Sequence, residues 1–135
     1  MSSIELGAFA ASVPAARDFV RAHSHDLPVA LREMLELCVS ELATNCVIHA
    51  RTAFTLRYLL KPESVRVEVS DAGAGTPAVR HPSRTDRHGR GLQIVSTLAD
   101  DWGSFGARAA PGKTVWFEFR LPRGASRGSL GAASP

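Results

Sequence analysis

Two side chains able to do chemistry sit four residues apart in a stretch built to be a helix. Glu41 and Asn45 lie within residues 29–50, which hold no Gly or Pro and follow Pro28. Apolar residues recur there at helical spacing, as Leu31, Leu35, Cys38, Leu42 and Cys46. At about 100° per residue, Arg32, Glu33, Glu36 and Ser40 gather on the side expected to be wet. Glu41 and Asn45 fall opposite, among Met34, Leu37, Cys38 and Ile48, and project from one face, one above the other. A carboxylate and an amide turned inward cost several kcal/mol unless something pairs with them. Two readings follow. They hydrogen-bond to backbone or to each other in the core, or the face looks into a ligand cavity, with Glu41 as a base and Asn45 as a metal ligand.

Three later stretches bear on that choice. Asp71-Ala72-Gly73-Ala74-Gly75 follows a strand-like run. Taken alone, Asp-x-Gly is a common turn, but no strand follows at once. Instead, residues 76–88 are polar, Pro-broken and rich in Arg80, Arg84, Arg87, His81 and His88, against Asp86. A loop of that length in a compact domain is a lid, a binding loop or a disordered segment, and its basic character suits a polyanionic ligand. It ends at Gly89-Arg90-Gly91-Leu92, where apolar helical spacing resumes through Val95 and Leu98. Glycines opening a helix expose backbone N–H groups at its positive end, an anion site by geometry. A short Gly-x-Gly is also a tolerated helix cap, so by itself it decides nothing.

The elements that must hold these residues can be read in order. Residues 3–9 form a weakly signalled first strand. Val13–Ala22 reads as a short amphipathic helix with Ser12 as its cap and Pro14 in its first turn, with Arg17 and Arg21 as a solvated basic pair or, less simply, a partner contact. After the long helix, residues 53–60 and 64–70 alternate as strands around the turn Lys61-Pro62-Glu63, an antiparallel hairpin. Two closing strands follow, 101–107 and 114–121, joined by Pro111-Gly112-Lys113, and Trp116, Phe117 and Phe119 are expected to pack in the core or on the sheet. Residues 122–135 are small and polar and are expected to be a disordered tail to a single domain at 1–121.

Composition closes off other classes. At 135 residues, with 44% hydrophobic and 21% charged residues, the chain is ordinary globular material for one domain. No apolar run approaches the roughly 20 residues of a membrane span. No signal peptide is legible either, and the chain reads as cytoplasmic. Its two cysteines, Cys38 and Cys46, are eight apart on one helix, about 12 Å by helical rise and too far for a disulfide. No Cys/His cluster has zinc spacing. The net charge of +3 is small, and no aromatic-interleaved basic patch points to nucleic acid.

Four signals therefore stand in a fixed order: Glu41-Leu-Ala-Thr-Asn45-Cys-Val-Ile-His49-Ala50; Asp71-Ala-Gly73-Ala-Gly75; Gly89-Arg90-Gly91-Leu92-Gln-Ile-Val; and Gly112-Lys113-Thr114-Val-Trp116. With them the sequence resembles the GHKL ATP-binding superfamily, which includes gyrase and the histidine kinases. It looks closest to the anti-sigma factor serine kinases, across residues 9–121. Neither a Walker A loop nor a His-Arg-Asp kinase loop is present.

The resemblance implies a two-layer α/β sandwich, the Bergerat fold, with a mixed, mostly antiparallel sheet and helices on one face. It implies ATP and Mg²⁺ as cofactors. Asp71 would accept the adenine amino group with Thr114 assisting through water, and Gly73 and Gly75 would let backbone approach the base. Asn45 would hold Mg²⁺, the Gly89-Arg90-Gly91-Leu92 helix start would present amides to the phosphates, and the basic lid would close over them. Glu41 would be the general base, while His49 also matches the pattern and is expected to be structural.

The function so implied is a serine kinase. It would phosphorylate an anti-anti-sigma (STAS-domain) partner and sequester a sigma factor, with no direct contact to nucleic acid or membrane and with a homodimer open to it. The alternatives are a nucleotide-gated binding module that transfers nothing and a detached histidine-kinase catalytic domain. Retention of Glu41 favours the first, because ATP binding alone could manage with Asn45 and Asp71.

Overall fold

Val65, Val67 and Val69 alternate with Arg66, Glu68 and Ser70, and this period of two turns one face of a strand into core and leaves the other wet. That strand is central in the computed structural model of the chain, which describes residues 1–72, 87–106 and 112–122, with backbone alone at 87–91. The elements are β1 (Ser2–Leu6), α1 (Ser12–His23), α2 (Val29–Asn45) with a π-helical turn at Cys46–Ala50, β2 (Phe54–Leu60), β3 (Ser64–Asp71), α3 (Arg87–Leu98), β4 (Asp101–Gly106) and β5 (Lys113–Arg120). The five strands form one sheet in the order β1-β2-β3-β5-β4. All neighbouring pairs are antiparallel, so the expected mixed component is absent among the described strands. The reason is connectivity: β5 folds back from β4 to lie between β4 and β3.

The helices cover one face. Phe54, Leu56, Tyr58, Val65, Val67, Val69, Phe117 and Phe119 are buried there against Ala16, Val20, Leu35, Cys38, Val39, Leu42 and Val95. Each large side chain removed from water contributes about 1.5–3 kcal/mol. The far face stays polar, and Trp116 lies on it rather than in the core, its ring 4.0 Å from the Arg66 guanidinium carbon. Lys61 Nζ donates to Glu118 Oε2 at 2.7 Å beside it, and that hydrogen bond, with Arg66 assisting, holds the Glu118 carboxyl below its ordinary value.

On α2 the predicted apolar stripe is buried throughout, at Leu31, Leu35, Cys38, Leu42 and Cys46. Its flanks differ from expectation. The side expected to be wet is partly covered by α1, where Arg21 donates to both Glu36 carboxylate oxygens (3.2 and 3.0 Å) and Arg17 donates to Ser40 Oγ at 3.2 Å. The basic pair thus ties α1 to α2. Ser12 is not a cap: Ala11 occupies that position, and the buried Ser12 hydroxyl donates to the Gly7 carbonyl at 2.7 Å.

The first strand is shorter than expected. It ends at Leu6, before the chain turns toward α1. Residues 76–86 of the expected lid, and the expected tail from 123 onward, lie outside the described residues. No helix among the described residues is long and apolar enough to cross a membrane.

Candidate functional site

The C-terminal half of α2 carries the first two chemically competent residues. Glu41 and Asn45 are each half-buried, and their neighbours on that flank, Leu37 and Ile48, are 45% and 54% exposed. The face is therefore an open flank and not the interior. The described side-chain hydrogen bonds of this helix involve Glu36, Ser40 and Thr44, and Glu41 and Asn45 take no part in them. A buried Glu41–Asn45 pair within the core is thus not what the fold builds.

The helix then widens. Residues 46–50 form a π turn, and Arg51 closes it in the left-handed region (φ 57°), its N–H bonded to the Cys46 carbonyl at 2.7 Å. The turn lies immediately after Asn45, with the buried Cys46 as its first residue.

The sheet supplies the third residue. Asp71 ends β3 on the helix-covered face, continuing the row of Val65, Val67 and Val69. Its cross-strand neighbour is Lys113, whose Nζ donates to Asp71 Oδ2 at 3.1 Å. The Asp71 side chain is 4% exposed and the lysine 37%. Just before Lys113, Gly112 adopts φ +114°, a conformation open to glycine. A Cβ there would overlap the Asp71 carbonyl oxygen and sit 3.2 Å from Ala72 Cα. The two strand ends meet too closely for any side chain at this position.

Thr114 is not brought to this carboxylate. It pairs with Ser70 in register, and the two hydroxyls lie 2.7 Å apart on the opposite face of the sheet. Lys113 is the residue that sequence reasoning passed over, and the signal was available. Val115, Phe117 and Phe119 are the inward row of β5, and position 113 shares their parity while 114 shares that of Trp116 and Glu118.

Helix and sheet converge at two buried thiols. Burial pushes Cys46 up to about 12, with the Asp71 charge adding and the Lys113 charge subtracting. Cys38 is likewise pushed up to about 12, by burial and then by Glu41. Cys38 within α2 thus feels Glu41, and Cys46, two turns on at the start of the π turn, feels the Asp71–Lys113 pair.

The phosphate side is described in part. Gly73 and Gly75 lie outside the described residues. Gly89, Arg90 and Gly91 belong to α3, which starts at Arg87, two residues earlier than the glycine spacing suggested. Gly89 falls among the first four residues, whose N–H groups a helix leaves without internal partners, and Gly91 is the fifth. Leu92, the sixth residue of α3, packs against the core. A shallow apolar groove between α2 and α3, lined by Leu37, Gln93, Ile94, Thr97 and Leu98, holds none of these polar residues. The described residues contain no cluster of three metal-binding side chains. A lone amide such as Asn45 fits Mg²⁺, which keeps waters and takes phosphate oxygens instead of a protein cage.

An antiparallel five-stranded sheet under three α-helices, with polar groups at one end of both layers, defines a two-layer ATPase fold of the GHKL type. The family profile of the histidine kinase-like ATPase domain matches residues 7–119, and the chain belongs to that family.

Two solved structures from Erythrobacter litoralis are similar. One is the histidine kinase domain of the EL346 blue-light activated histidine kinase, at 24% identity and a TM-score of 0.57, with 82% of this chain and 60% of that one covered. The other is the EL346 blue-light activated histidine kinase, at 25% identity and a TM-score of 0.57, covering 87% and 42%. The chain therefore spans less than two thirds of either. No curated protein matches it.

Proposed function

We propose that the protein is an ATP- and Mg²⁺-dependent serine kinase that phosphorylates an anti-anti-sigma (STAS-domain) partner and sequesters a sigma factor. The observation that carries this reading is Glu41. It is an ionisable group one turn ahead of Asn45, on an open flank of α2 and outside the helix's own hydrogen bonds. ATP binding alone has no use for it. In the proposed reaction Glu41 takes the proton of a serine hydroxyl, the oxygen attacks the γ-phosphorus, and the bond to the β–γ bridging oxygen breaks to release ADP. Asp71 orients the nucleotide by its amino group. Asn45 would hold Mg²⁺, which when bound offsets phosphate charge, and the first turn of α3 at Gly89 would present amides to the phosphates. Phosphoryl transfer asks the protein for little beyond this positioning and charge neutralisation.

The test is transfer from labelled ATP to a STAS-domain protein captured by pull-down. Glu41→Ala should lose about 10²–10⁴-fold in transfer while retaining ATP binding, and Asn45→Ala should lose both. Transfer unchanged in Glu41→Ala removes Glu41 from the mechanism, and no transfer to any captured partner leaves a nucleotide-gated binding module. A second reading draws on the similar structures, which are histidine kinases: a catalytic domain serving a phosphoacceptor histidine. Acid treatment separates the two, because phosphohistidine is lost in acid and phosphoserine survives.

A further inference from the structure

Lys113 stands in a row where a charge needs a reason. Val115, Phe117 and Phe119 point inward from the same strand and are buried, and the lysine heads that row with Asp71 as its partner at 3.1 Å. Neutralising a carboxylate that is 4% exposed is one reason. The pair also has a second property. Side by side at one end of the sheet, it offers a hydrogen-bond acceptor next to a donor. The edge of adenine is the complement, an exocyclic amino donor next to the ring acceptor N1. The lysine, 37% exposed, has the freedom to turn toward a ligand while its stem stays on the strand. Gly112 leaves no side chain between the strand ends to intervene.

We propose that Lys113 is a second base-reading residue: its ammonium donates to N1 of adenine while the Asp71 carboxylate accepts from the adjacent amine. This rests on the nucleotide reading above and deepens it. In the same pose guanine sets its carbonyl oxygen against the carboxylate and its N1–H against the ammonium. Both contacts are like against like, and sites with committed polar groups reject such analogues strongly. Lys113 is thus a specificity-determining residue, while Thr114, on the other face, has no part in the choice of base.

The experiment uses the unaltered full chain and three nucleotides, followed by calorimetry. ATP should bind more tightly than 1-deaza-ATP, in which a C–H replaces N1, by roughly ten- to a hundredfold, the range for a hydrogen bond to a charged group. GTP should bind at least as weakly as 1-deaza-ATP. In Lys113→Met, ATP should fall to the 1-deaza-ATP level and the difference between the two should vanish. Equal binding of ATP and 1-deaza-ATP to the unaltered protein overturns the proposal and leaves the nucleotide site standing, and needs no variant to fold. Tighter ATP binding by Lys113→Met also overturns it, since the lysine would then be a competitor for Asp71. Failure of the unaltered protein to bind ATP at all overturns the nucleotide reading, and this inference with it.

Discussion

At Asp71 a buried carboxylate meets a half-exposed ammonium, and changing the carboxylate to an amide separates its two jobs. Asp71→Asn keeps shape and one acceptor oxygen but loses the charge. The half-exposed lysine left behind can be rehydrated, so the fold should lose little. ATP affinity, by contrast, should fall about ten- to a hundredfold, since a charge-assisted hydrogen bond to the base becomes a neutral one. Calorimetry on a variant shown to be folded measures this, and unchanged affinity would mean that Asp71 does not read the nucleotide. Glu41 differs in kind. It lies on an open flank, so what it contributes is position relative to an acceptor.

Among the elements, the approach of β5 to the end of β3 is the tightest fit. Gly112 at φ +114° leaves no room for a Cβ beside the Asp71 carbonyl. Gly112→Ala should cost about 1–3 kcal/mol, read as a lower urea midpoint at an unchanged slope, and a variant as stable as the original would show that the strand ends can part freely. Periodicity made most elements legible: the apolar spacing of α2 and the alternation of β2 and β3 each dictate which face is buried, and the structure follows them. Three features were not legible for physical reasons. The half-turn position of Glu41 looked inward because a helical projection gives angles, and angles cannot say where the neighbouring helices stop. The π turn at 46–50 carries no propensity signal, since it is a local change of hydrogen-bond partner. Thr114 was favoured over Lys113 because motif matching weighs chemical type, whereas strand parity, which was present in Val115, Phe117 and Phe119, decides which side chain reaches the site.

For the molecule as a whole, the buried titratable groups set an alkaline limit. Cys38 and Cys46 are raised from 9.0 to about 12, chiefly by burial. Burial also raises the Tyr58 hydroxyl, against a hydrogen bond from Ser24 that lowers it. In each case the folded chain keeps a proton that the unfolded chain gives up. The stability the two thiols provide is therefore complete below pH 9 and drains away between pH 9 and about 12. The urea midpoint should begin to fall above pH 9, and a Cys38→Ala, Cys46→Ala chain should show a flatter decline over the same interval. An identical decline in the variant would place the alkaline transition elsewhere. The thiols should also resist labelling in the native protein, so labelling would clock global opening.

The pairing of Lys113 with Asp71 and of Thr114 with Ser70 has a consequence for how such a protein could diverge. Sliding β5 by one residue would exchange cation for hydroxyl at the carboxylate, but it would also turn Val115, Phe117 and Phe119 out into water. That route is closed to small adjustments. Replacement at position 113 is open, because the residue heads the inward row without being walled in by it. The preference of the site can thus drift, one codon at a time, while the hydrophobic interior remains under separate selection.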